Sequence, residues 1–291
     1  MDAFRKLQIM HRLRTVQAKL VEPVRRGQRR VLWTPTHKMG LGNFLYFWLW
    51  ADMEQYMGVD ARVRRTPDME ATVQVFPEAA AALTIDPAAV RFTDQRRVEW
   101  PQRYGTDFVE ADLDRFVSRW LLGSENLKNA IASAPIGGPE TVVINVRRGD
   151  YYSVPRIRGN YAIDLTSYLR VAVAGAADEG SIERFLVVSD GPDWCRARLG
   201  WLHEYAPAVD FMGPDEGMLA NFAAVTGARR SVLTNSSFSY WAGYGADVLH
   251  QRSNSVWAPR FHARNLRPDG MAIQLAPTWR VVQDIPGGWD S

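Results

Sequence analysis

TVVINVRRGDYY, residues 141–152, runs six strand-forming residues straight into two adjacent arginines, a glycine and an aspartate. A run this rich in Val and Ile reads as a buried strand, and the turn signal after it ends the strand at the arginines. Working outward, FLVVS (185–189), VDFM (209–212) and SVLTN (231–235) repeat the strand pattern, with helical stretches around Tyr168 to Ala177, from Pro192 and near Leu219 to Val225 between them. Strands alternating with helices indicate parallel βαβ units and a doubly wound sheet. Upstream, VLW (31–33) reads as a short strand and GLGNFLYFWLWADMEQYMG (40–58) as a helix entered through a Gly-rich loop, giving a first α/β domain of its own. PIGGPE (135–140) is the domain crossing. The expected organisation is a basic helix over 1–29, an α/β domain over 30–138, a Rossmann-like domain over 139–275 and a tail over 276–291.

The formal charge of +3 conceals an asymmetry: residues 1–30 hold nine Lys and Arg against Asp2 and Glu22, leaving the other 261 residues at −4. A slightly acidic body argues against a nucleic-acid partner. Ile9, Leu13, Val16 and Leu20 form one stripe of the basic helix. Such a helix packs on the body with its charges solvated, the reading we favour, or makes peripheral contact with an anionic membrane face. No apolar stretch approaches the ~20 residues of a membrane span, and the N-terminus lacks a signal-peptide pattern, so it is expected to stay on the mature protein. A single cysteine, Cys195, fits a reducing, cytoplasmic setting.

Ligands of doubly wound sheets bind beyond the carboxyl ends of the strands, which draws attention to RRGDYY, SDGPDWC (189–195) and NSSFSYW (235–241). Arg147 and Arg148 at such an edge suit a diphosphate, because guanidinium forks pair with phosphate oxygens. The alternative is an Arg148–Asp150 salt bridge holding the loop, with Arg147 solvated. Gly40-Leu41-Gly42 begins like a dinucleotide fingerprint, but position 45 is Leu, and no P-loop is present, which disfavours dehydrogenases and P-loop kinases. Asp112-Leu113-Asp114 imitates a metal-binding Asp-x-Asp, yet its apolar neighbours mark an amphipathic helix and the aspartates its solvated face. The histidines lack metal-ligand spacing, so no metal site and no cofactor are expected.

Four blocks, in order, resemble the α-1,2-fucosyltransferases, glycosyltransferase family eleven, within the wider group sharing an H-x-R-R-x-D motif. They are Met39-Gly40-Leu41-Gly42-Asn43-Phe44, the RRGDY segment with Ile163 to Leu169, Ser189-Asp190-Gly191-Pro192-Asp193-Trp194-Cys195, and Asn235 to Trp241. The resemblance implies a GT-B-like α/β fold, two facing Rossmann-like domains with parallel sheets, the second holding GDP-fucose. It implies an inverting, metal-independent transfer of L-fucose to a sugar hydroxyl, α-1,2 to a galactoside, of an oligosaccharide or glycolipid acceptor. Carried onto this chain, the donor-binding residues are Gly40, Gly42, Asn43, Asn145, Arg147, Arg148, Asp190, Ser236, Ser237, Phe238 and Ser239, with Arg148 and Asp150 catalytic. Asp190 reads guanine or caps the helix that follows it. Asp150 is the base or only orients the arginines, with Asp52 and Glu54 as alternatives. Asn145 stands where the motif has histidine and Asn221 where the family has an aspartate. These departures leave open another nucleotide sugar as donor, or a non-catalytic protein that binds nucleotide sugars or glycans. Trp33, Trp48 and Trp50 stack on sugar or belong to the core.

Overall fold

The computed structural model describes residues 27–35, 39–267 and 269–290. The amphipathic stripe read in the basic N-terminal segment therefore lies outside the described residues. Two compact units divide the chain, Met1–Ser124 and Glu125–Ser291.

The first unit is built on four parallel strands, β1 (Arg30–Leu32), β2 (Ala61–Arg64), β3 (Thr84–Ile85) and β4 (Gln95–Arg97), in the order β3-β2-β1-β4. The helix Leu41–Tyr56 joins β1 to β2, and its first eleven or so residues are apolar enough to be buried on most sides; Phe44, Leu45, Trp48 and Ala51 are fully inside. Trp48 and Trp50 are thus core residues, whereas Trp33, just past β1, is half-buried. The two alternative base candidates on this helix are held in protein contacts. Asp52 is buried and accepts from Trp120 Nε1 at 2.7 Å and Arg115 Nε at 3.1 Å, and Glu54 pairs with Arg30. Asp112 and Asp114 lie on the helix Glu110–Phe116, where Asp112 accepts from the Val109 amide at 3.1 Å and pairs with Arg115. Among the described residues no group of His, Cys, Asp or Glu is placed to hold a metal ion, and no helix is long and apolar enough to cross a membrane.

The second unit carries six parallel strands: β5 (Thr141–Val146), β6 (Arg184–Ser189), β7 (Ala208–Met212), β8 (Arg230–Leu233), β9 (Ser255–Pro259) and β10 (Arg280–Val282). Their order, β10-β9-β8-β5-β6-β7, turns from one direction to the other between β5 and β8. That reversal opens a crevice at the carboxyl ends of these two strands, the usual ligand position of a doubly wound sheet. β5 is buried along its whole length, which is why its sequence shows no regular alternation of apolar and polar residues.

Two expected boundaries move. The crossing at 135–140 is not the unit boundary, because the helix Glu125–Ser133 already belongs to the second unit. Its Ile131 and the following Ile136 pack so closely on Gly227 that a Cβ there would meet Ile136 Cδ1 at 2.5 Å. Nor is 276–291 a tail. β10 completes the sheet beside β9, Trp279 Nε1 donates to buried Asp247 at 2.7 Å, and Trp289 stacks on Phe261.

Candidate functional site: the loop after β5

β5 ends at Val146, and the chain turns at once beside the end of β8: the Arg147 amide donates to Thr234 Oγ1 at 2.9 Å, tying the two strand ends that flank the crevice. The turn then passes through Gly149 at φ +25, where a Cβ would meet Asp190 Oδ2 at 2.5 Å. Only glycine allows that approach. Asp190, at the end of β6, holds the loop by both oxygens: Oδ1 accepts from the Arg148 amide at 2.6 Å and Oδ2 pairs with Arg147 at 2.6 Å. The carboxylate for which guanine reading or helix capping is expected braces the arginine loop and does not cap the next helix. The cap of Pro192–Arg198 is Gly191, with no side-chain cap bond.

The two arginines have different surroundings. Arg147 pairs with Asp150 Oδ1 at 2.5 Å as well as with Asp190; burial opposes its charge, and the two carboxylates outweigh burial and hold the guanidinium above its ordinary value. The expected alternative, an Arg148–Asp150 bridge with Arg147 solvated, is reversed. Arg148 has no ion-pair partner among the described residues; its guanidinium lies 3.9 Å from the ring centre of Tyr152 and 4.4 Å from that of Trp194. Burial lowers its affinity for the proton, yet an arginine remains a cation. Tyr152 is itself fixed by a 2.9 Å bond to the Ile163 carbonyl, and burial pushes its hydroxyl up to about 12. Clamped by two aromatic rings, Arg148 is a preorganised positive charge without a carboxylate to neutralise it.

Asn145, expected to contact the donor, is buried: its amide donates to the Val188 carbonyl at 3.1 Å and accepts from Ser239 Oγ at 2.5 Å. Ser239 accordingly points into the core rather than toward a ligand. Ser236 is the N-cap of the helix Ser237–Leu249, accepting from the Phe238 amide at 3.2 Å. Ser237 and Phe238 are half-buried in the first turn, where the helix dipole favours an anion. Gly40, Gly42 and Asn43 sit in the other unit. Gly40 is the exposed N-cap of Leu41–Tyr56, Gly42 is buried behind it, and Asn43 Oδ1 accepts from Gln102 at 3.2 Å. Cys195 is a buried thiol pushed up to about 11 by burial.

Sequence reasoning missed Thr234, Tyr152 and Trp194 as parts of the site. The aromatics in RRGDYY and SDGPDWC were the available signal, because two aromatic residues near an otherwise uncompensated arginine suggest a stacking clamp.

Residues 126–251 match the model of the family Glycosyl transferase family 11. Among curated proteins, the "Galactoside alpha-(1,2)-fucosyltransferase 1" of Aotus azarae is 28% identical over 160 residues, 50% of this chain and 42% of that protein. The protein of the same name from Alouatta belzebul is 26% identical over 164 residues, 51% of this chain and 43% of its own length. The chain thus spans less than half the length of these relatives. A solved structure of a mutant Arabidopsis thaliana FUT1 in complex with GDP aligns over 81% of this chain and 71% of its own, with 13% identity and a TM-score of 0.47. The matched residues 126–251 hold β5, the arginine loop and the Ser236 helix start, so it is through this part of the second unit that the chain is similar to glycosyl transferase family 11.

Proposed function

We propose that the chain is an inverting fucosyltransferase that moves L-fucose from GDP-fucose to a sugar hydroxyl, at the 2-position of a galactoside. The observation that carries this reading is Arg148, a cation lying against Tyr152 and Trp194 in the loop that follows β5, with no ion-pair partner among the described residues. The family match and the relatives' names supply the sugar and the linkage.

In the proposed reaction the acceptor oxygen attacks the anomeric carbon of β-linked GDP-fucose. The bond from that carbon to the β-phosphate oxygen breaks, and its electron pair leaves with GDP. Negative charge grows on the β-phosphate as the bond stretches, so a fixed guanidinium and the first-turn amides of Ser237–Leu249 act more strongly on the transition state than on the bound donor. These groups supply the positive charge from the protein itself, and we propose that no metal is required. Arg147, balanced by Asp150 and Asp190, shapes the loop that aims Arg148. Asp150 Oδ2, the oxygen not paired with Arg147, takes the acceptor proton.

The test is transfer from GDP-fucose to β-galactosides with EDTA present, followed by linkage analysis of the product. An α-1,2-fucosylated product supports the proposal; absence of transfer to any galactoside removes it. A different nucleotide sugar is the second reading. It is favoured by Asn221, where the resemblance expects an aspartate and where Oδ1 is buried without a partner among the described residues. GDP-mannose, UDP and ADP sugars in the same assay separate the two.

A further inference from the structure

The carboxyl edge of the first sheet carries a second concentration of polar groups that the transfer mechanism does not use. Trp33 and Thr34 follow β1, Arg64 ends β2 with Thr66 two residues on, and Arg96 lies near the end of β4. The register sets Leu32 opposite Val63 and Arg97, so the chain beyond β1 runs between the ends of its two neighbours. Arg64 and Arg96 both converge on the Trp33 ring, their guanidinium carbons 4.6 and 4.4 Å from its centre. Arg64 has no ion pair among the described residues. The adjacent arginines differ: Arg65 is neutralised by Glu70 at 2.8 Å, and Arg97 is bonded to Gln95 at 3.0 Å.

On the residues that follow β1 and β2 at this edge, three side-chain atoms are buried with no hydrogen-bond partner among the described residues: Trp33 Nε1, Thr34 Oγ1 and Thr66 Oγ1. Thr34 is only 9% exposed. Buried polar groups almost always find partners, and a cluster of exceptions at one sheet edge calls for an explanation. All three can donate, and the indole N–H can only donate. Donors beside an unneutralised guanidinium match one chemistry, an oxyanion, which the guanidinium meets with a charge-assisted bond. The carboxyl end of a parallel sheet is also where such a ligand is bound.

We infer that this edge is an anion subsite built on Arg64, Trp33, Thr34 and Thr66, and that it takes the acidic group, a carboxylate or a sulfate ester, of an acidic sugar acceptor. The acceptor assignment rests on the transferase reading; the anion site itself does not.

The test is direct binding to the full chain at constant ionic strength, using methyl β-D-galacturonide, its neutral counterpart methyl β-D-galactoside, sodium sulfate and GDP. Galacturonide is expected to bind at least tenfold more tightly than galactoside, to be displaced by sulfate and to be indifferent to GDP. Arg64→Gln should erase the tenfold preference while the affinity for GDP stays as in the unaltered protein. Equal binding of the two sugars by the unaltered protein overturns the inference, as does an undiminished preference in folded Arg64→Gln. Displacement of galacturonide by GDP would mean that the edge serves the donor phosphates, and would overturn the acceptor assignment. Because these are binding measurements, failure of fucosyl transfer leaves the anion site standing, and failure of the anion site leaves the transfer reaction standing.

Discussion

At the edge of the second sheet the polar side chains answer one another: Asp190 holds the Arg148 amide and Arg147, Thr234 holds the Arg147 amide, and Asn145 is tied to Ser239 and Val188. At the edge of the first sheet the Thr34 and Thr66 hydroxyls and the Trp33 indole N–H are buried without partners among the described residues. Both edges are carboxyl ends of parallel strands in units of similar winding, yet one is rigidified before any ligand arrives and the other is left wanting one. A preorganised edge suits a step in which charge develops in the transition state. An edge with unmet donors suits ground-state recognition, where the ligand completes the hydrogen bonding.

The sharpest way to break this contrast is at Arg148. Removing one preorganised donor typically costs roughly 10²–10³ in turnover, so Arg148→Ala should lower kcat by that factor with an unchanged melting temperature. A fall in the melting temperature that accounts for the lost activity would place Arg148 in the scaffold instead. Behind the same edge lies His262, fully buried, bonded through Nδ1 to the Tyr240 hydroxyl and held down to about 4 by burial. With an unfolded value near 6.5, the unfolded chain binds a proton between the two values that the folded protein refuses. Its contribution is therefore fully present above pH 6.5 and is lost as pH falls toward 4. The loss is about 3 kcal/mol, since each tenfold difference in proton affinity between the folded and unfolded chain is worth ~1.4 kcal/mol. Denaturant titrations of His262→Gln should show a flatter pH dependence than the unaltered protein in that window.

Smaller effects sharpen the contrast from both sides. Ser239→Ala leaves the buried Asn145 oxygen without its 2.5 Å donor, and a buried unpaired acceptor costs about 1–3 kcal/mol. Thr34→Val removes a hydroxyl that has no partner to lose among the described residues, so folding should be unchanged or more stable by up to about 1 kcal/mol. Thermal unfolding of the two variants side by side decides whether the edges differ as described. Equal destabilisation would mean that they do not.

Much of this was legible in the chain because parallel strands buried on both faces announce themselves. TVVINV and FLVVS are β5 and β6 within a residue or so, and the placement of RRGDYY, SDGPDWC and NSSFSYW at strand ends followed from that. What the sequence could not show is which acid answers which arginine. Asp150 is three residues from Arg147, but Asp190 reaches it across the sheet from the next strand, so Arg147 takes both acids and Arg148 neither. Similarly, Ser239 reads as a fourth phosphate ligand in a run of hydroxyls, and only the helical turn starting at Ser237 rotates it inward onto Asn145. β10 escapes a sequence reading because three residues with one buried apolar side chain carry little periodic signal, and its place is set by β9 and by the bond from Trp279 to Asp247. The unmet donors of the first edge are likewise invisible in sequence, since a threonine looks the same with or without a partner.

The central claim is that Arg148 is the cation that meets the departing nucleotide diphosphate. The most direct measurement is the shift in melting temperature of the unaltered protein and of Arg148→Ala with GDP, GDP-fucose, UDP and ADP, EDTA present throughout. A ligand at about 100 times its dissociation constant adds ~2.7 kcal/mol of stability. The account predicts saturable stabilisation of the unaltered protein by GDP and GDP-fucose, weak or absent response to UDP and ADP, and a stabilisation by GDP that is largely lost in the folded variant. Undiminished stabilisation of Arg148→Ala by GDP, or no response of the unaltered protein to either guanine nucleotide, would contradict it.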